Sequence, residues 1–237
     1  MLKKPTIGIA LALAAFTASA TVLDFEGVQF TQFAANANGY SLSNTNSYLS
    51  PLSINFPGYG NLQWSNNSGI NDFRIVEAAH FNARNNVTGA AVNNGVANGL
   101  VSGSWVAINS GASDVWFQSL AGGAKFDFES LYMSAAWYNG LKVDITAYRD
   151  GEQVYSTTTG PLGYNAQLLT FNWTNVDKVM FHSQPNSGTV IDNQSTYNHA
   201  FVIDNLSINA VPEPETCALV LAGLALMAGL SQRKKAA

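Results

Sequence analysis

Between Thr21 and Ala210, apolar and polar residues alternate in a series of short runs. The clearest is Leu141-Lys142-Val143-Asp144-Ile145-Thr146-Ala147-Tyr148. Leu141, Val143, Ile145 and Ala147 share one face and their neighbours the other, the period of a half-buried strand. Asp150-Gly151 follows, a pair suited to a type I′ turn, and then Val154-Tyr155-Ser156, so a hairpin is predicted. Val22–Glu26 alternates before Gly27, with Asp24 and Glu26 opposite Leu23 and Phe25, and Leu52–Phe56 alternates up to Pro57-Gly58. Phe126-Asp127-Phe128 and Leu131-Tyr132-Met133 read as a strand pair or as one bulged strand. Leu168–Trp173, Val176–Phe181 and Phe201–Ile208 complete the series. Asn82–Gly103, rich in Gly, Asn and Ala, reads as a surface excursion, and Asn186–Asn198 as a polar loop. With no convincing amphipathic helix between the strands, the pattern predicts an all-β fold. It is a single antiparallel β-sandwich, jelly-roll-like, over residues 21–210, with first and last strands in one sheet.

The two ends break the alternation. Lys3-Lys4 precede an apolar stretch, Ile7–Phe16, and Ala18-Ser19-Ala20 forms a small-x-small cleavage pattern. Residues 1–20 therefore read as a signal peptide, cut by signal peptidase so that the mature chain starts at Thr21. Residues 211–237 run Val211-Pro212-Glu213-Pro214, then an apolar stretch from Ala218 to Leu230, then Arg233-Lys234-Lys235. The prolines exclude sheet and helix interior, the Leu/Ala/Met-rich stretch favours helix, and the basic end acts as a cytoplasmic stop. The helix is short against the roughly 20 residues of a comfortable span, which suits a transient anchor better than a permanent one.

Motif, apolar helix and basic end in this order resemble the PEP-CTERM protein-sorting signal of Gram-negative bacteria. That resemblance implies processing by an exosortase, a membrane-embedded cysteine protease-like enzyme, and association with extracellular polysaccharide or biofilm. The implied route is export, transient anchoring in the inner membrane through the C-terminal helix, and then the cell surface or extracellular space. The segments around Phe126–Gly140, Leu169–Trp173 and Phe201–Leu206 also resemble a recurrent sandwich domain of PEP-CTERM proteins, which implies no particular activity.

Charge sharpens the picture. The whole chain carries −4, but Thr21–Ala210 holds six basic and thirteen acidic residues, a balance of −7. A sparse acidic surface excludes nucleic acid, whose phosphates need clustered Lys and Arg. The single cysteine, Cys217, lies in the tail, so the domain has no disulfide and no thiol chemistry. Asp24, Glu26, Asp204 and Asn205 converge if the first and last strands pair. Adjacent carboxylates repel, and Ca²⁺ gathers six to eight such oxygens; jelly-roll carbohydrate-binding modules, which this arrangement resembles, often hold a structural calcium there. The alternative is that these side chains bond turn backbone or water.

Five Trp and nine Tyr offer stacking surfaces for sugar rings. Tyr59, Trp64, Trp137 and Tyr138 lie in loop-like contexts and are the ligand-stacking candidates. Trp105, Trp116 and Trp173 lie in strand contexts and read as core. Catalysis has little support: Asp127 and Glu129 alternate with phenylalanines as the wet face of a strand. His80, His182 and His199 lack metal spacing, and no Gly-x-Ser-x-Gly elbow exists. The expectation is a non-catalytic sandwich that binds or organises polysaccharide. Its rivals are a structural or adhesive matrix protein without a discrete ligand and a polysaccharide-active hydrolase.

Overall fold

The computed structural model describes residues 20–26, 49–51, 58–65, 73–79, 94–109, 112, 114–185, 187–190, 199–211 and 223. Its strands are β1 (Ala20–Leu23), β2 (Leu49–Pro51), β3 (Leu62–Trp64), β4 (Phe73–Glu77), β5 (Trp105–Asn109), β6 (Val115–Ser119) and β7 (Phe126–Ala135). They continue with β8 (Tyr138–Asn139), β9 (Val143–Arg149), β10 (Glu152–Thr158), β11 (Gln167–Val176), β12 (Lys178–Ser183), β13 (Thr189–Val190) and β14 (Phe201–Ala210). One short helix, α1 (Gly95–Asn98), precedes β5.

Two antiparallel sheets form the sandwich. Seven strands run β11-β7-β14-β5-β4-β2 with β1 added on β14, and five run β10-β9-β12-β6-β3; β8 and β13 make a small ribbon. First and last strands do pair, from Ala20 opposite Asn209 to Leu23 opposite Leu206. The Asp150-Gly151 turn has φ of 53° and 86°, as a type I′ turn requires. Phe126–Met133 is one bulged strand, because the inward residues Phe126, Phe128, Leu131 and Met133 skip one position at Glu129–Ser130. β14 makes the matching skip between Ile203 and Leu206, with Asn205 at φ 48°.

The inner faces meet in a core built largely of aromatic rings. Trp64, Phe73, Phe117, Phe181 and Phe201 pack mostly edge-on or tilted at 5.4–6.0 Å between centroids. A second, smaller core lies on the outer face of the seven-stranded sheet, where Val96 of α1 packs on Val76, Val106, Ile108 and Val202. Asn94 caps that helix, its Oδ1 accepting the N–H groups of Val96 and Ala97. Gly95 is required by contact: a Cβ there would lie 1.8 Å from the Ala135 carbonyl oxygen. Part of the expected surface excursion is therefore a cover for the larger sheet, and residues 82–93 lie outside the described residues.

Both termini of the sandwich leave at one end. Ala20 lies opposite Asn209, and the Val211 N–H donates to the Lys125 carbonyl. Lys125 itself bridges Asp150 and Asp177; burial works to lower its pKa, but the two carboxylates outweigh burial and leave it raised. The expected leader residues up to Ser19, with Ala18, the strand Leu52–Phe56, the motif residues Pro212, Glu213 and Pro214 and the basic Arg233, Lys234 and Lys235 lie outside the described residues. Among the described residues no helix is long and apolar enough to cross a membrane.

Candidate functional site

Glu26, Asp204 and Asn205 meet around the loop that leads into β5, while Asp24 lies in the turn before Glu26. β14 changes partner along one edge, pairing β5 at Val202–Ile203 and β1 from Leu206 onward. Asp204 and Asn205 stand at that change-over. Asp204, fully buried, accepts the N–H groups of Val101 (2.7 Å) and Ser102 (3.1 Å) on Oδ2 and that of Asn205 (2.7 Å) on Oδ1. Ser102 Oγ donates to Asn205 Oδ1 at 2.7 Å. From the other side Glu26 Oε1 accepts the N–H groups of Ser104 (2.6 Å) and Trp105 (2.7 Å). Gly103 sits between these anchors at φ +63°, with the Glu26 carboxyl where a Cβ would project.

One detail differs from expectation. β1 ends at Leu23, so Asp24 and Glu26 are not on a strand face. Asp24 Oδ1 accepts the Glu26 N–H at 3.0 Å, an Asx-type turn, and Phe25 turns into the core at φ 60°. Phe25 thus follows Leu23 as a second inward apolar residue, placed by turning the backbone rather than by extending the strand.

Burial raises the Asp204 pKa to about 6 against its three N–H donors, and Glu26 adds to the rise. Tyr59 is pushed up to about 12 by burial, against a hydrogen bond with the Phe25 backbone and with the help of Asp24, Glu26 and Asp204. The donor types suit calcium, but the carboxylate oxygens are engaged by N–H groups. Among the described residues no three His, Cys, Asp or Glu side chains form a set placed to hold a metal ion.

The stacking candidates divide. Trp64 is 2 % exposed, ringed by Phe25, Phe73 and Phe117, with its indole N–H on the Tyr59 carbonyl at 3.1 Å. It is core and cannot meet a sugar. It was misread because the flanking Asn and Gly residues look like a loop, whereas Leu62-Gln63-Trp64 alternates as an edge strand. Tyr59 is half-buried and stacks on Phe25. Trp137 packs on the smaller core, and its carbonyl accepts the Tyr164 hydroxyl. Tyr138 stacks on His199 at 4.0 Å, where burial lowers the His199 pKa. Asp127 and Glu129 are tied to the sheet, Asp127 accepting the Asn175 N–H and Glu129 the Asn209 amide.

Trp116, read from sequence as core, is half-buried on the outer face of β6, pointing away from the inward Val115 and Phe117. That face of the five-stranded sheet is ordered in cross-strand rows. Gln63, Gln118, Lys178, Tyr148 and Gln153 are successive register partners across all five strands. Trp116, Met180, Thr146 and Ser156 form the next row, followed by His182, Asp144 and Thr158. Lys178 Nζ lies over Trp116 at 4.8 Å and 5.9 Å from Tyr148, a cation held between two rings. Gln118 donates to Gln63, Asp144 accepts from Thr158 and Gln184, and His182 pairs with Asp114 at 2.5 Å. The parity shared by Trp116 and Gln118 was the available signal. It was hidden because Val115-Trp116-Phe117 reads as one apolar run.

The PEP-CTERM protein-sorting motif matches residues 210–235, so the chain carries that motif immediately after β14. No curated protein matches the chain significantly. Among solved structures, TmCBM61 in complex with β-1,4-galactotriose is similar over 64% of this chain and 88% of that one, at 10% identity and a TM-score of 0.33. The M60 catalytic domain with two CBM51 domains from Clostridium perfringens ZmpB covers 47% and 11%, at 10% identity and 0.29. A CBM4 structure covers 62% and 92%, at 15% identity and 0.28. Similarity this distant fixes neither a ligand nor a site.

Proposed function

We propose that this is an exported protein processed by an exosortase at its C-terminal motif, whose sandwich binds polysaccharide without catalysis. The outer face of the five-stranded sheet is the binding surface. The observation that carries this reading is the placement of Trp116, Lys178 and Tyr148 on an open face whose remaining positions are, apart from Met180, Gln, Thr, Ser, His and Asp. Sugar rings offer an apolar face to an aromatic and a rim of hydroxyls to amides, carboxylates and an ammonium. The larger sheet has its outer face partly occupied by α1, which leaves the smaller sheet for a ligand.

Affinity electrophoresis or calorimetry with the producing cell's own polysaccharide tests it. Trp116→Ala should weaken binding about tenfold or more, since about 1.4 kcal/mol per tenfold is of the order of one stacked ring. Tyr138→Ala, in the separate β8–β13 ribbon, should leave it unchanged. Equal binding by the Trp116→Ala protein would remove this face from consideration.

A structural calcium ion at Asp24, Glu26, Asp204 and Asn205 is a second reading, supported by the way Glu26, Asp204 and Asn205 hold one loop between them. Binding would require oxygens to turn from the N–H groups they now accept. Melting in calcium and in a chelator decides it, each kcal/mol of binding raising the midpoint by about 2–4 °C. Coincident curves would eliminate the ion.

A further inference from the structure

A sheet edge is a row of unpaired N–H and C=O groups, and folded proteins blunt such edges with brevity, proline, bulges or charge. In this sandwich β1, β2 and β3 are three or four residues long, and β2 ends in Pro51. β11 is long but is broken twice, at Asn172 and Asn175, both at positive φ. Its exposed backbone is further occupied: Arg149 donates to the carbonyls of Thr174 and Asn175, and Asp127 takes the Asn175 N–H.

Among the described residues, β10 is followed by no further strand and has none of these protections over most of its length. It is the last strand of the five-stranded sheet, seven residues long, and every residue but Tyr155 is exposed. Its one bulge lies near the hairpin turn, between Gln153 and Tyr155, and Tyr155–Thr158 keeps regular register with Ala147–Asp144. The run Gln153-Val154-Tyr155-Ser156-Thr157-Thr158 contains no charge, proline or glycine and is rich in residues that favour extended chain. A twofold axis beside Ser156 would set this run antiparallel to itself with no like charges facing, and with hydroxyls opposite hydroxyls.

We propose that two copies of this chain associate edge to edge through β10, joining their five-stranded sheets into one continuous sheet. The occupant of the edge is a second copy because the segment is neutral and self-complementary. One consequence rests on the function proposed above: the two Trp116–Lys178–Tyr148 faces become parts of a single surface, so a long polysaccharide engages both. Avidity then exceeds the affinity of one face, by about 10²-fold or more for a well-matched span.

Light scattering coupled to gel filtration over a concentration series tests the association on the mature protein. The expected result is a mass that rises from one copy to two. Ser156→Lys, an exposed change that puts like charges across the axis, should hold the protein at one copy with an unaltered circular dichroism spectrum. Mixing Ser156→Lys with Ser156→Glu should restore the two-copy mass. A single-copy mass for the wild-type protein throughout, or association undiminished by Ser156→Lys, overturns the proposal. Binding assays separate the two readings: Thr157→Lys, exposed on the same edge but outside the rows of the binding face, should also hold the protein at one copy, bind short oligosaccharides as wild type does and bind polymer more weakly. Association without any saccharide binding leaves the β10 contact standing and removes only its consequence.

Discussion

Replacing Asp204 with Ala is expected to cost about 3 kcal/mol or more, read as a lower urea midpoint at unchanged slope. The carboxylate accepts three backbone N–H groups from within the fold. The measurement belongs at acidic pH, where folded Asp204 keeps its proton and each buried N–H left without its acceptor costs about 1–3 kcal/mol. The loss also unfastens residues 101 and 102, in the segment between α1 and β5, while Glu26 still holds residues 104 and 105. The pH dependence has a definite sign. Asp204 has its pKa raised from 3.8 to about 6 by burial, so between those values the folded state holds a proton that the unfolded state has released. The stability contributed by this group is therefore fully present below pH 3.8 and is lost as pH rises through about 6. The gap between wild type and Asp204→Ala should narrow over that interval, by up to about 3 kcal/mol at about 1.4 kcal/mol per pKa unit. A gap that widened instead would mean that the carboxylate gains more from its N–H donors than burial takes away. Asp204→Asn, which keeps one acceptor oxygen and cannot titrate, should fall between the two at acidic pH.

The second large effect belongs to Trp64. Trp64→Ala should destabilise by about 3–5 kcal/mol, the range for removing a large aromatic from a closed core. The ring touches both sheets' contributions to the core, packing on Phe73 of one and Phe117 of the other. Trp64→Phe keeps most of the volume and loses the indole hydrogen bond to the Tyr59 carbonyl, so it should cost much less. The pair of variants, measured by denaturation, distinguishes a core residue from a stacking platform. A Trp64→Ala protein of near wild-type stability that failed to bind saccharide would reverse the assignment.

Trp64 and Trp116 show where the sequence was legible and where it misled. Trp64 stands among polar, loop-like residues and Trp116 in an apolar run, and these contexts suggested the opposite fates. What sorts them is strand parity, which three-residue windows do not reveal. Gln63 and Gln118 are hydrogen-bonded register partners on the outer face, and only once that pairing is known does Trp64 fall inward and Trp116 outward. The acidic cluster was more readable, because a paired first and last strand brings positions 24–26 and 204–205 together regardless of detail. That the carboxylates would hold the 101–105 loop was not readable, since their partners are backbone N–H groups that leave no mark in a sequence.

What the sequence by itself determined is what depends on local chemistry. Alternation with period two set the strands, and Asp150-Gly151 set a turn that only residues tolerant of positive φ can make. Its C-terminal order of proline motif, apolar stretch and basic end carried the sorting signal. What only the tertiary structure decided is which face of each sheet stays open, which edge stays unpaired and what each carboxylate touches. These follow from how α1 and the 101–105 loop pack on strands distant in the chain, and a contact between distant segments has no local pattern to announce it.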